Sequence, residues 1–575
     1  MLGSVLLSVC LTAGAQVSAQ GVSGPYLAAQ QAERRGDVAA AARYYARALA
    51  RDGRNLAIMG RAMTNHIAAG NVPQGISLAR RYEAQAPGHH LGVLALAADA
   101  LQQGDLDRVE ELMQDGGPFV AQVIRAWVAA ETGDLEEAQR ILTALEATDE
   151  NGRQGKIVAA THLGMILAVQ DNDAGAVEAF ARANGMTDSD AVALIRAQAG
   201  ALVRLGRMDE AKAVIAEWSR GSFSDASLDR LSAAIASGDV PAPTVQNVSQ
   251  AAADVLHSVA RLLVRGQNRD IALAYAQLAA FLDPGLTEAR LLVAQIFDAD
   301  RQYDLAIAAY DNVPAESPEA MSALIGKAEA LFESGEKEAA VTTMESAVNQ
   351  FPGALAAHTS LGDLLRRAQR FGDAVAPYDS AIDLLPDVSR QYWALFYRRG
   401  IVLERSGQWE RAETDFRLAL ELEPDQPDVL NYLGYSLVEM GEKLYEAEEM
   451  IRKAVEQRPD DGYIIDSLGW VYYRFGEFDK AVENLERAVE LRPTDPVIND
   501  HFGDALWMVG RKTEAQFQWR RALSFDPADK DADRIRRKLK VGLDLILAEE
   551  AEAGKPGIIG RQTENELQPI TNDGG

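Results

Sequence analysis

The sequence predicts an all-α solenoid of stacked helical hairpins, and three periodic combs carry that prediction. Prolines recur at Pro284, Pro318, Pro352, Pro386, Pro424, Pro459, Pro493 and Pro527, at intervals of 34, 34, 34, 38, 35, 34 and 34 residues. Small residues keep the same rhythm at Ala260, Ala294, Ala328, Gly362, Gly400, Gly434, Gly469 and Gly503. So do Ala272, Ala306, Ala340, Ala374, Ala412, Ala447, Ala481 and Ala515. A fixed period of this size marks a repeat architecture. Each proline closes a unit, because it cannot continue the helical hydrogen-bond ladder. Each small residue marks a close helix crossing, where a larger side chain would overpack.

Residues 462–495 show the unit. Tyr463 to Tyr473 carries apolar residues at helical spacing. Gly476 suits the left-handed end of that helix. Asp479 to Val489 forms the second helix, and Pro493 stops it. One hairpin cannot bury its apolar face alone, so stacked neighbours must do it for one another. A 34-residue unit with a small residue near position 8, alanine at 20, often alanine at 27, and proline at 32 resembles the tetratricopeptide repeat. The resemblance implies a helical-hairpin superhelix with a concave inner groove.

Eight good units run over 253–527, and six degenerate ones precede them in 20–216, about 14 in all. The degenerate set is marked by Gly36, Gly70, Gly104, Gly133 and Gly206, with a unit around Leu163-Gly164, Ala176, Phe180 and Ala183. Residues 217–252, with Pro241 and Pro243, break the pattern and read as a joint or a flexible linker. Asp529 to Glu550 is predicted as one helix within a capping segment, 528–553. Its Ile535, Leu539, Leu543 and Ile546 would cover the otherwise apolar end of the stack. Its basic cluster, Arg534, Arg536, Arg537, Lys538 and Lys540, is either a solvated face or a docking patch. Residues 554–575 are polar with glycines and prolines, a composition that predicts disorder.

A formal charge of −28, from 85 acidic and 57 basic residues, argues against nucleic acid, which needs a basic footprint. It suits a surface that attracts basic or amphipathic peptides. Val5 to Val9, Leu11 and Ala13 to Ala19 read as a signal peptide over 1–19, with cleavage after Ala19 at Val17-Ser18-Ala19, although no Lys or Arg precedes the apolar run. Export to a periplasm follows. The alternative is an outer-membrane lipoprotein anchored through Cys10, the single cysteine, although Val9 before it is a poor match to a lipobox. No other segment has the ~20 apolar residues of a spanning helix.

Histidines His66, His89, His90, His162, His257, His358 and His501 form no H-E-x-x-H motif, so neither a metal, a cofactor nor a catalytic constellation is expected. Aromatics are concentrated instead. Trp393, Trp409, Trp470, Trp507 and Trp519 all fall within 391–527. Trp519 and Tyr472 fall at core positions of the repeat. Tyr397, Asn431, Tyr435, Tyr463, Asp466, Trp470, Tyr473, Arg474, Asp500, Asp504 and Trp507 fall at positions that the resemblance assigns to the groove. Aromatics supply large contact area at hot spots. The segments Leu430–Tyr435, Ile465–Arg474 and His501–Trp507 are more specifically similar to exported Gram-negative adaptor proteins for carboxyl-terminal-processing proteases. That resemblance implies a non-enzymatic envelope scaffold that binds protein or peptide segments, linking a periplasmic protease to its substrates, with no small-molecule substrate. The alternative is an assembly or carrier factor for envelope polysaccharide, pili or outer-membrane proteins.

Overall fold

Apolar residues at helical spacing, punctuated by glycine or proline, fold here into thirty-one α-helices and one short 3-10 turn, with no strand among the described residues. The computed structural model describes residues 21–559 apart from 115–117, 150–151, 187–191, 220–225, 267 and 555–556. The predicted leader, Cys10 and residues 560–575 lie outside the described residues. Twenty-eight of the helices pair as fourteen antiparallel hairpins, six before residue 220 and eight from 248 to 523. The remaining three are Ala226–Ser237, Asp529–Val541 and Leu543–Glu552.

The chain forms two compact units, which meet at 351/352. The interval 217–252 does not divide them. It holds the helix Ala226–Ser237, and the carbonyl of Pro241 accepts from Arg204 Nη1 at 3.0 Å. The hairpin that follows, Val248–Arg265 and Arg269–Leu282, packs onto first helices of the degenerate block: Leu56–Ala68, His90–Gln103, Pro118–Glu131 and Gly152–Val169. Gln277 Nε2 donates to the Ala68 carbonyl at 3.3 Å, and Gln102 Nε2 to that of Leu282 at 3.0 Å. Glu131 accepts from the Val248 amide at 2.8 Å. His90 and Tyr275 are hydrogen-bonded across the same contact. One apolar core therefore runs from Ala29 to Ala330. No helix among the described residues is long and apolar enough to cross a membrane.

The C-terminal unit stacks five hairpins, and their glycines show how tightly the helices cross. A Cβ on Gly469 would lie 2.6 Å from Leu485 Cγ, and one on Gly503 2.5 Å from Trp519 Nε1. The predicted single capping helix is broken. Gly542 sits at φ 87, ψ 158, a conformation open essentially to glycine alone, and the chain turns there into Leu543–Glu552.

Candidate functional site

The inner face of the C-terminal unit is built by four first helices, Trp393–Arg405, Pro427–Met440, Gly462–Arg474 and Pro496–Met508. Between them opens a cavity of about 480 Å³. Tyr432, Tyr435, Tyr463, Trp409 and Met440 give it an apolar wall, and Glu404, Glu439, Asp466 and Asp495 outnumber Arg405 among its charged residues. Tyr463 and Val497 are exposed at its mouth. Asn431 faces it, and its buried Oδ1 has no hydrogen-bond partner among the described residues. An orphaned buried acceptor is costly, and a ligand N–H would satisfy it.

Four of the eleven predicted groove residues line this cavity: Asn431, Tyr435, Tyr463 and Asp466. Burial pushes the Tyr435 hydroxyl well above its ordinary pKa, so it stays a neutral donor. Tyr397 packs instead between repeats, with its ring 6.1 Å from Phe416 and 6.0 Å from Tyr432.

The other six are not an open groove. Trp470 is only 9% exposed. Its indole stacks between Tyr473 at 4.6 Å and His501 at 4.0 Å, and its Nε1 donates to Glu439 at 2.6 Å. His501 Nδ1 lies 3.1 Å from both oxygens of Asp466. Burial alone would push this imidazole down, but the Asp466 carboxylate outweighs it and raises the His501 pKa above its ordinary value. Trp470 is thus a core residue, because the next repeat brings a histidine over its face.

Asp500, Asp504 and Trp507 are covered by the chain's own end. Lys538, fully buried, places Nζ 2.8 Å from Asp500 and 2.6 Å from Asp504. Arg534 Nη1 reaches Asp504 at 3.2 Å, and Glu550 takes Arg534 Nε at 2.9 Å. Trp519 Nε1 also donates to Asp504, at 2.9 Å. Trp507 Nε1 donates to Asp544 at 3.1 Å. The basic cluster is therefore split. Arg534 and Lys538 face inward, while Arg536 and Arg537 are exposed and paired with Asp533 and Glu549. The signal was present in the sequence. Arg534 and Lys538 follow Asp500 and Asp504 by one period of 34 residues, so opposite charges share a register on adjacent first helices.

Arg474 lies under residues 557–559, part of the stretch predicted to be disordered, while the Tyr473 ring packs against Trp470 and Phe478. Arg474 Nε donates to the Gly557 carbonyl at 3.0 Å, and the Ile559 amide donates to the Arg474 carbonyl at 2.9 Å. The residues that groove register missed are those of the rim, Glu404, Arg405, Trp409, Tyr432, Met440 and Val497. They come from helix ends and from between repeats.

Comparison with known proteins agrees with this architecture. Two family models, both described as tetratricopeptide repeat, match residues 325–389 and 363–526. Those residues are tetratricopeptide repeats, and the fold class is the solenoid such repeats build. Among relatives, a TPR repeat-containing protein, PA4667, of Pseudomonas aeruginosa is 38% identical over 87 residues, 15% of each chain. Protein O-mannosyl-transferase Tmtc2 of Drosophila melanogaster is 32% identical over 104 residues, 18% of this chain and 10% of that protein. The matched segments thus span a small part of either relative. The solved structure of the APC/C hetero-tetramer Cut9-Hcn1 aligns over 91% of this chain and 96% of its own at 14% identity, with a TM-score of 0.37, too low to bear on the argument.

Proposed function

We propose that the protein is a binding scaffold without catalysis of its own, and that the cavity between the first helices at 427–440, 462–474 and 496–508 holds a segment of a partner protein. Tetratricopeptide repeats support protein–protein interaction in general. The observation that carries the particular site is the open, aromatic-walled cavity with Asn431 Oδ1 buried and unpaired at its side. An extended segment would bring a backbone N–H to Asn431 and an apolar side chain to Tyr435 and Tyr463. The acidic rim favours a basic neighbour on that segment.

The leader-like run ending at Ala19 and the Leu430–Trp507 motifs support a finer reading. In it the chain is exported, acts in a Gram-negative periplasm, and brings substrates to a carboxyl-terminal-processing protease. Photocrosslinking from two positions tests both levels in living cells. A benzoylphenylalanine at Tyr463 should trap a defined protein, and Asn431→Ala with Tyr435→Ala should erase the adduct. The same probe at Phe517, 66% exposed outside the cavity, should not trap it. Identical adducts from both positions would discard the cavity. A trapped protein that is neither a protease nor a protease substrate would discard the adaptor role.

A further inference from the structure

Arg474 is 5% exposed, yet it keeps an idle polar atom: its Nη2 has no hydrogen-bond partner among the described residues. No ion pair holds Arg474 among the described residues. Glu439 acts on it through space only, its carboxylate accepting from Trp470 Nε1, and a guanidinium enclosed without a bonded carboxylate is an expensive arrangement. Burial accordingly lowers its pKa from the ordinary arginine value. What does touch it is a backbone carbonyl. Gly557 O accepts from Nε at 3.0 Å and leaves the adjacent Nη2 unused. Nε and Nη2 form one edge of the guanidinium, the edge that takes both oxygens of a carboxylate in parallel. The carbonyl fills half of a two-pronged fork.

The covering segment is itself lightly held. Ile558 and Ile559 are 37% and 44% exposed, although both are apolar. Ile558 rests beside Gly476, and among the described residues one backbone hydrogen bond, from Ile559 N to Arg474 O, joins the Gly557 contact. The enclosed, unpaired Nη2 of Arg474 thus lies beneath a superficial segment.

We infer that Arg474 is a carboxylate-binding site of the groove, closed in the free protein by residues 557–559 and opened when an extended partner segment bearing an internal Asp or Glu replaces them. The inference rests on the groove being a protein-binding surface and adds the chemistry of one subsite. An internal acidic residue fits better than a chain terminus, because the carbonyl now seated there belongs to Gly557, from which the chain continues to Ile559.

Fluorescence anisotropy on the full chain tests this with labelled, amidated peptides of residues 553–561 carrying Gly557→Glu or Gly557→Gln. A third peptide ends at Gly557 with a free carboxylate. On the Ile559→Pro chain, which loses the amide that pins the segment, the Glu peptide should bind at least about tenfold tighter than the Gln peptide, as a charge-assisted pair predicts. It should bind the unsubstituted chain more weakly. Arg474→Gln in the Ile559→Pro background should abolish the preference. Arg474→Lys, which keeps the charge and loses the fork, should cut it to a few-fold and carries the test should Arg474→Gln fail to fold. Equal binding of the Glu and Gln peptides, an undiminished preference in Arg474→Lys, or a preference for the free terminus would overturn the inference. In the first case, binding of both peptides that is lost with Tyr435→Ala would leave the cavity reading intact.

Discussion

The two units use one building plan and treat its inner face in opposite ways. In the N-terminal unit the first helices of the degenerate repeats close around the chain's own hairpin at 248–282, and their inner face becomes core. In the C-terminal unit the inner face stays open at the cavity beside Tyr435 and Tyr463, and is covered further on by charged helices and the superficial segment 557–559. Composition explains the contrast. The helix His90–Gln103 is apolar nearly all round, with buried residues from Leu91 through Leu101, and such a helix must be covered on every side. The inner face at 496–508 instead carries Asp500 and Asp504, which apolar helices could not cover. A solenoid groove is thus a site only where its own sequence has not already filled it.

Removing the charge that closes the C-terminal inner face should have the largest effect. Lys538→Met leaves Asp500 and Asp504 enclosed without their nearest cation, which costs about 3–5 kcal/mol. In the N-terminal unit, Leu278→Ala removes a fully buried apolar contact and costs about 2–5 kcal/mol through its cavity. Urea midpoints for the two variants weigh the two ways of filling an inner face against each other. A loss below 1 kcal/mol for Lys538→Met would mean that the acidic pair is hydrated.

A smaller effect tests the shared plan rather than the difference. Gly469→Leu drives a side chain into Leu485 and should cost about 1–3 kcal/mol, read as faster hydrogen exchange over 462–491.

Acid and base should then separate the units. In the C-terminal one, His501 has a folded pKa above the unfolded value of about 6.5. Its contribution is complete below that value and is lost as pH rises through the folded pKa. His501→Gln should therefore flatten the alkaline side of the melting profile. In the N-terminal unit, burial lowers His162 to about 4, and its Nδ1 accepts from Trp127 Nε1 at 3.1 Å, as a neutral ring does. Its contribution is present above about 6.5 and is lost as pH falls toward 4. His162→Gln should flatten the acid side. Parallel profiles for the two variants would contradict the opposite shifts of the two histidines.

The smallest change in stability should come at the open cavity. Tyr463→Ala removes a half-exposed side chain and should shift stability by no more than about 0.5 kcal/mol. It should cost partner binding about 2 kcal/mol, measured by titration calorimetry once the crosslinked partner is in hand.

The hairpins, their number and their crossing glycines were legible in the sequence because each depends on contacts inside one repeat. The Asp500–Lys538 closure was legible too, since like register means adjacency in a stack, but only when charges are compared across a period. The seating of residue 557 on Arg474 had no such signal. That contact joins residues 83 apart, outside any repeat, and depends on the turn that Gly542 makes. The open patch read from aromatic content was wrong at Trp470 and Tyr473 for a related reason. Register says which way a side chain points, not what arrives to cover it.

The closure of Asp500 and Asp504 by Lys538 and Arg534 also bears on how this array can grow. Repeat arrays lengthen by copying one unit in tandem. Copying 496–529 once would set a second Asp500 and Asp504 directly over the first, four carboxylates in one enclosed stack with a single pair of cations beyond them. Neighbouring carboxylates cannot all remain ionised, so the longer array would fold only with protons trapped at its end. Units nearer the front set opposite charges across their junctions, as Glu33 with Arg61 does, and carry no such penalty. The last junction works as a stop codon written in charge: the array can be extended from within, but its terminus admits one successor, the helix that bears Arg534 and Lys538.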